Sequence, residues 1–115
     1  MRIDRIDVYS VAVPLRAPFH PSWIPGFAQT ENRFDLLRLE TSDGIVGWSA
    51  APAMGREREG WGQLLGSYFL GERADDLANV RQRIREMGYL GHRTGGFLEP
   101  ACWDIVGKAR GKPVY

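Results

Sequence analysis

The apolar positions of this chain change period along its length, and the change divides it into strands followed by helices. Over residues 2–16 they alternate: Ile6 and Val8 share one parity, while Val11, Val13 and Leu15 share the other. Alternation with period two marks a strand. The change of parity at Ser10 has two explanations, a bulge at that position or a strand buried on different faces in its two halves. Pro14 has no amide proton to donate, so pairing is expected to loosen there. A second apolar stretch, Phe34, Leu36, Leu37 and Leu39 in residues 33–42, leads through Thr41-Ser42-Asp43-Gly44 into Ile45, Val46 and Trp48 of residues 45–50. The Asp43-Gly44 pair predicts a hairpin with a tight type I′ turn, in which both central residues take positive φ.

Helical spacing takes over after residue 60. Trp61, Leu64, Leu65, Tyr68 and Phe69 form one stripe, with Gly71 as its stop. Gly62 and Gly66 weaken that helix by roughly 1 kcal/mol each relative to alanine, so close packing must compensate. Leu77, Val80, Ile84 and Met87 form a second stripe, behind a cap at Asp75 or Asp76 and ahead of Gly88. Cys102, Ile105, Val106 and Ala109 form a third, with Pro100 in the first turn. Gly111 caps its end, Lys108, Arg110 and Lys112 sit at the negative end of its dipole, and Pro113 forbids continuation. Strands first and helices afterwards is the signature of an α+β fold. The expectation is a three-stranded antiparallel sheet, a meander with one hairpin, followed by a three-helix bundle packed on it.

Residues 17–32 fit neither period. They hold three prolines and a glycine, yet also Phe19, Trp23, Ile24 and Phe27. A loop normally runs over the surface, so these side chains either fold back on the domain's own core or rest on a partner surface or ligand. A second loop, residues 51–60, contains Met54, and residues 91–96 (GHRTGG) form a joint before the third helix.

At 115 residues the chain is one domain, with 43% hydrophobic and 25% charged residues, ordinary for a soluble globular protein. A net charge of +1 gives no case for nucleic acid, which requires a concentrated basic face. No apolar run is long enough for a membrane span and the N-terminus lacks the apolar core of a signal peptide, so the expected location is cytoplasmic. The single Cys102 excludes an internal disulfide and any cysteine-based zinc site, and inside a helical stripe it reads as a small core residue. Asp and Glu cluster at helix starts, where they act as caps, and neither His20 nor His92 has a second ligand at metal-binding spacing. The residues alone therefore provide no complete catalytic constellation, and no metal site is expected within this chain.

Three stretches carry a resemblance: Met1 to Tyr9 (MRIDRIDVY), Leu39 to Trp48 (LETSDGIVGW), and Trp103 to Ala109 (WDIVGKA) continued by Gly111 to Tyr115 (GKPVY). In this order they resemble the N-terminal domain of the enolase superfamily, within its mandelate racemase and muconate lactonizing enzyme group. The resemblance implies that residues 1–115 are a capping domain whose C-terminal (β/α) barrel is absent from this chain. It implies a parent enzyme, an isomerase or lyase, that abstracts the proton α to a carboxylate as a racemase, cycloisomerase or dehydratase. Mg²⁺, the metal ligands and a lysine or histidine base would then belong to the barrel, so no catalytic residue carries over to this chain. The two loops would close over the barrel mouth, which makes His20, Trp23, Ile24, Phe27 and Met54 the expected substrate-facing or barrel-facing groups. The implied partners are the barrel, in cis or in trans, and a small carboxylate substrate, with no nucleic acid or membrane and with homo-oligomers in the full-length form. Two other readings stay open: a stand-alone binding or interaction module that reuses the fold, and an inert fragment.

Overall fold

A computed structural model describes residues 1–53, 57–88 and 95–115 of the chain. Three strands, β1 (Ile3–Phe19), β2 (Gln29–Thr41) and β3 (Val46–Pro52), form one antiparallel sheet in the order β1-β2-β3. Three α-helices follow among the described residues: α1 (Glu57–Phe69), α2 (Leu77–Glu86) and α3 (Leu98–Arg110), the last entered through a 3₁₀ turn at Gly95–Phe97. This is the α+β arrangement that the two periods imply.

Each strand has an inner and an outer face, because directly paired residues in an antiparallel sheet point the same way. Ile6 and Val8 pair with Leu39 and Leu37, which pair in turn with Gly47 and Ser49. These belong to the inner face, where Leu37 and Leu39 are buried with Leu65, Phe69, Val80, Leu98, Cys102 and Ile105 of the helices. The third helical stripe differs from expectation at one end. Leu98 and Ala101 are buried at its start, whereas Ala109 in the last turn is exposed.

The structure decides the parity change at Ser10. Pairing runs without a break from Arg5↔Glu40 to Pro14↔Glu31, so there is no bulge at Ser10. The strand instead changes which side is apolar. Its irregularities lie between Ile3 and Arg5 and between Pro14 and Phe19, the second where the missing proline amide was expected to loosen the ladder. The tight type I′ turn is also replaced. Gly44 is at φ +80° but Asp43 is not at positive φ, and the Gly44 amide donates to the Thr41 carbonyl at 2.9 Å. With the Thr41 amide bonded to Ile45 O at 3.0 Å, this is a three-residue loop ending in a left-handed glycine.

Helix ends follow their caps. The Asp76 carboxylate accepts from the Asn79 amide at 3.2 Å at the start of α2, and Gly111 closes α3 in the left-handed conformation. The start of β1 is tied to the turn after α1, with the Ile3 amide on Glu72 O at 2.8 Å and the Gly71 amide on Ile3 O at 2.9 Å. Among the described residues, no such backbone bonds to the helices or their turns tie the far ends of β1 and β2. A radius of gyration of 16.0 Å exceeds the roughly 13 Å of a compact chain this long. At about 3.3 Å per residue the 17-residue β1 outruns helices of 10 to 13 residues that rise about 1.5 Å each.

Candidate functional site

The projecting end of the sheet carries the apolar loop. Expected over residues 17–32, it contracts to residues 20–28, because β1 continues through Phe19 and β2 begins at Gln29. Pro14 and Pro18 do not stop β1, since an edge strand has one side with no ladder to donate to. Two turns shape the loop, Ile24 N to Pro21 O and Phe27 N to Ile24 O, both at 3.3 Å. Of its apolar side chains only Pro21 is buried.

Trp23 is 74% exposed, and Phe19, Ile24 and Phe27 are exposed too. The rings of Phe19 and Trp23 meet at a tilt of 58°, with centroids 6.3 Å apart. His20 is exposed beside them. Thus four of the five residues singled out from the sequence, His20, Trp23, Ile24 and Phe27, lie in one outward-facing loop. Met54 lies outside the described residues, as do His92 and the side chain of Trp61. At the base of the loop Phe27, Gln29, Glu31 and Arg33 line an open groove. Three of its polar residues engage one another: Arg33 Nε meets Glu31 Oε1 at 2.6 Å, and Gln29 Nε2 donates to the Glu31 carbonyl at 2.9 Å.

The outer face of the sheet was not singled out from the sequence. Tyr9 pairs with Leu36, which pairs in turn with Ala50, and Val11 with Phe34, which pairs in turn with Pro52. Val13 and Trp48 are exposed on the same side, and Tyr9 meets Trp48 at 6.1 Å between ring centroids. The available signal was the apolar residues at both parities of β1 and β2, which mark strands that expect cover on both faces. One end of this face is ionic, with Arg38 bridging Asp7 at 3.5 Å and Glu40 at 2.8 Å.

Among the described residues, the titratable groups that the structure brings into contact serve ion pairs, caps or the core. Burial, reinforced by Glu99, pushes the Cys102 thiol up to about 12, so the thiolate needed for reactivity is absent near neutrality. The Arg73 guanidinium holds the Asp75 carboxyl below its usual range by hydrogen bonding. Glu99, in the first turn of α3, accepts from Arg81 Nε at 2.7 Å and from Trp103 Nε1 at 3.2 Å, and Glu72 pairs with Arg83 at 2.6 Å. Among the described residues no three His, Cys, Asp or Glu side chains are placed to hold a metal ion. Those residues therefore do not fit a Mg²⁺ site. Among them, no helix is long and apolar enough to cross a membrane.

Comparison with known proteins gives a consistent result. Residues 5–115 match the family model described as mandelate racemase / muconate lactonizing enzyme, N-terminal domain. The chain is 30% identical, over its full length, to a D-galactonate dehydratase of Xanthomonas axonopodis pv. citri, of which it covers 27%. It superposes on the N-succinyl Arg/Lys racemase of Bacillus cereus with a TM-score of 0.79 and 26% identity, covering 100% of this chain and 32% of that one. A dipeptide epimerase of Enterococcus faecalis, solved with Mg and the dipeptide L-Leu-L-Tyr, gives a TM-score of 0.82 at 16% identity, with 100% and 34% covered, and shows the fold alone. The chain spans about a third or less of the length of the curated relatives it matches.

Proposed function

Because the chain belongs to the mandelate racemase / muconate lactonizing enzyme N-terminal domain family, we propose that it is the substrate-capping part of a longer enzyme. In this reading the remainder of the parent is a (β/α) barrel that removes the proton α to a carboxylate, as a racemase, cycloisomerase or dehydratase. The observation that carries the reading is the outward-facing apolar loop, Trp23, Ile24 and Phe27, at the tip of strands that project past their own core.

A loop built this way gains stability only when something covers it. Closing over a barrel mouth would remove its aromatic surface from water and would exclude water from the reacting carboxylate. Mg²⁺, when bound in the parent, would stabilise the enolate that proton removal creates. Glu31, Glu72, Asp75, Asp76 and Glu99 are committed to ion pairs or a cap, and in this reading the metal ligands and the base belong to the barrel. His20, Trp23, Ile24, Phe27 and Met54 are proposed to touch barrel or substrate, and none of them to move a proton. The dehydratase and racemase relatives support the reaction class and leave the choice within it to the barrel.

Solvent-deuterium exchange tests the proposal. Carboxylates incubated in D₂O with the longer enzyme that carries this domain should incorporate deuterium at the α carbon only when Mg²⁺ is present, and the 115-residue chain alone should give none. Exchange that persists after chelation, or that never occurs with any α-protic carboxylate, would overturn it.

A further inference from the structure

The sheet has two edges, β1 and β3, and unpaired edge backbone invites a strand from another chain. At β3 two side chains one helical turn apart on α3 take up that backbone. Asp104 Oδ2 accepts from the Trp48 amide at 3.0 Å, and Lys108 Nζ donates to the Val46 carbonyl at 2.7 Å. Val46 and Trp48 are two residues apart, so their backbone groups point to the same side, the one away from β2. Asp104 and Lys108 also pair with each other at 3.0 Å, in the favourable order with the acid nearer the N-terminus.

An exposed ion pair spaced in this way contributes little by itself. What sets this one apart is that each member also holds a backbone group of the neighbouring strand. Gly47 makes the approach possible, since a Cβ there would lie 2.2 Å from the Ala101 carbonyl oxygen and 2.6 Å from Ile105 Cγ1. Ser49 Oγ adds a hydrogen bond to the Phe97 carbonyl further along β3.

We infer that Asp104 and Lys108 are positioning residues that form a clamp: they fix β3 on α3 and close its free edge to a second copy of this chain. The inference does not depend on the proposed enzymatic role. It accounts for an aspartate and a lysine four residues apart whose charges no catalytic reading employs.

The test is amide hydrogen exchange at Trp48, together with sedimentation over a range of concentrations, on the 115-residue chain and its variants. Asp104→Ala should speed Trp48 exchange at least tenfold, whereas Asp104→Asn, whose side-chain oxygen still accepts, should stay within about threefold of the parent. The double variant Asp104→Ala/Lys108→Met should associate more strongly with concentration than the parent, while Asp7→Ala, which breaks an ion pair on the outer face, should not. If Asp104→Ala fails to fold, Lys108→Met retains the Trp48 acceptor and should still raise association. Unchanged Trp48 exchange in Asp104→Ala, equal loss in Asp104→Asn, or association matched by Asp7→Ala would each overturn the clamp.

Discussion

Leu36 and Leu37 are neighbours on β2 and point in opposite directions into different surroundings. Leu37 is sealed among helix side chains, whereas Leu36 lies partly exposed on an outer face with Tyr9, Val11, Phe34 and Trp48. A second contrast runs along the molecule: near the hairpin Ile3 and Leu39 are buried, whereas at the projecting tip Trp23 and Phe27 are exposed. The inner face and the hairpin end are therefore stabilised within the chain. The loop, and the outer face with it, are apolar beyond what this domain's own folding requires.

The largest test of that division is Leu39→Ala, which should cost about 2–5 kcal/mol in denaturant unfolding because it empties a fully buried site. Gly47→Ala should cost about 1–3 kcal/mol by the same assay, since β3 must be pushed off α3. If it is tolerated, the two elements do not touch as described.

Cys102 gives a pH-dependent version. Its thiol is raised in the folded chain, so above an ordinary thiol pKa of about 8.5 the unfolded state binds fewer protons than the folded one. Stability should then fall by up to about 1.4 kcal/mol per pH unit until pH approaches the folded value near 12. Cys102→Ala should lack this component, and parallel pH profiles for the two proteins would show that the thiol is not buried. Asp76→Ala should cost about 1 kcal/mol through loss of the α2 cap. Smallest of all, Trp23→Ala should leave unfolding within about 0.5 kcal/mol of the parent, because the ring packs on little of its own domain.

Much of the covered half was legible in the sequence, because it is built from local signals. Period-two alternation, the Asp76 cap and the Gly111 stop each act within a few residues of the chain. The missed features depend on distant partners. Nothing near Ser10 distinguishes a bulge from a change of apolar side; the register with Asp35 on β2 decides it. Asp104 and Lys108 read as an ordinary helical pair until β3 lies 56 to 62 residues away in sequence and within hydrogen-bond reach in space. Gly47 could have been found, since a glycine inside a strand pattern signals close backbone approach. The hairpin turn failed for a local reason, because Asp-Gly also serves a three-residue loop in which only the glycine is left-handed. At the candidate site the residue types of the loop were readable, and its outward direction was not, because both readings of residues 17–32 employ the same aromatics.

The most direct measurement pairs kcat/KM with the unfolding midpoint for Trp23→Ala in the longer enzyme proposed to carry this domain. If the loop is kept for the surface it caps, kcat/KM falls at least tenfold while the midpoint stays unchanged. An unchanged kcat/KM, or a loss that only follows a falling midpoint, would contradict the account.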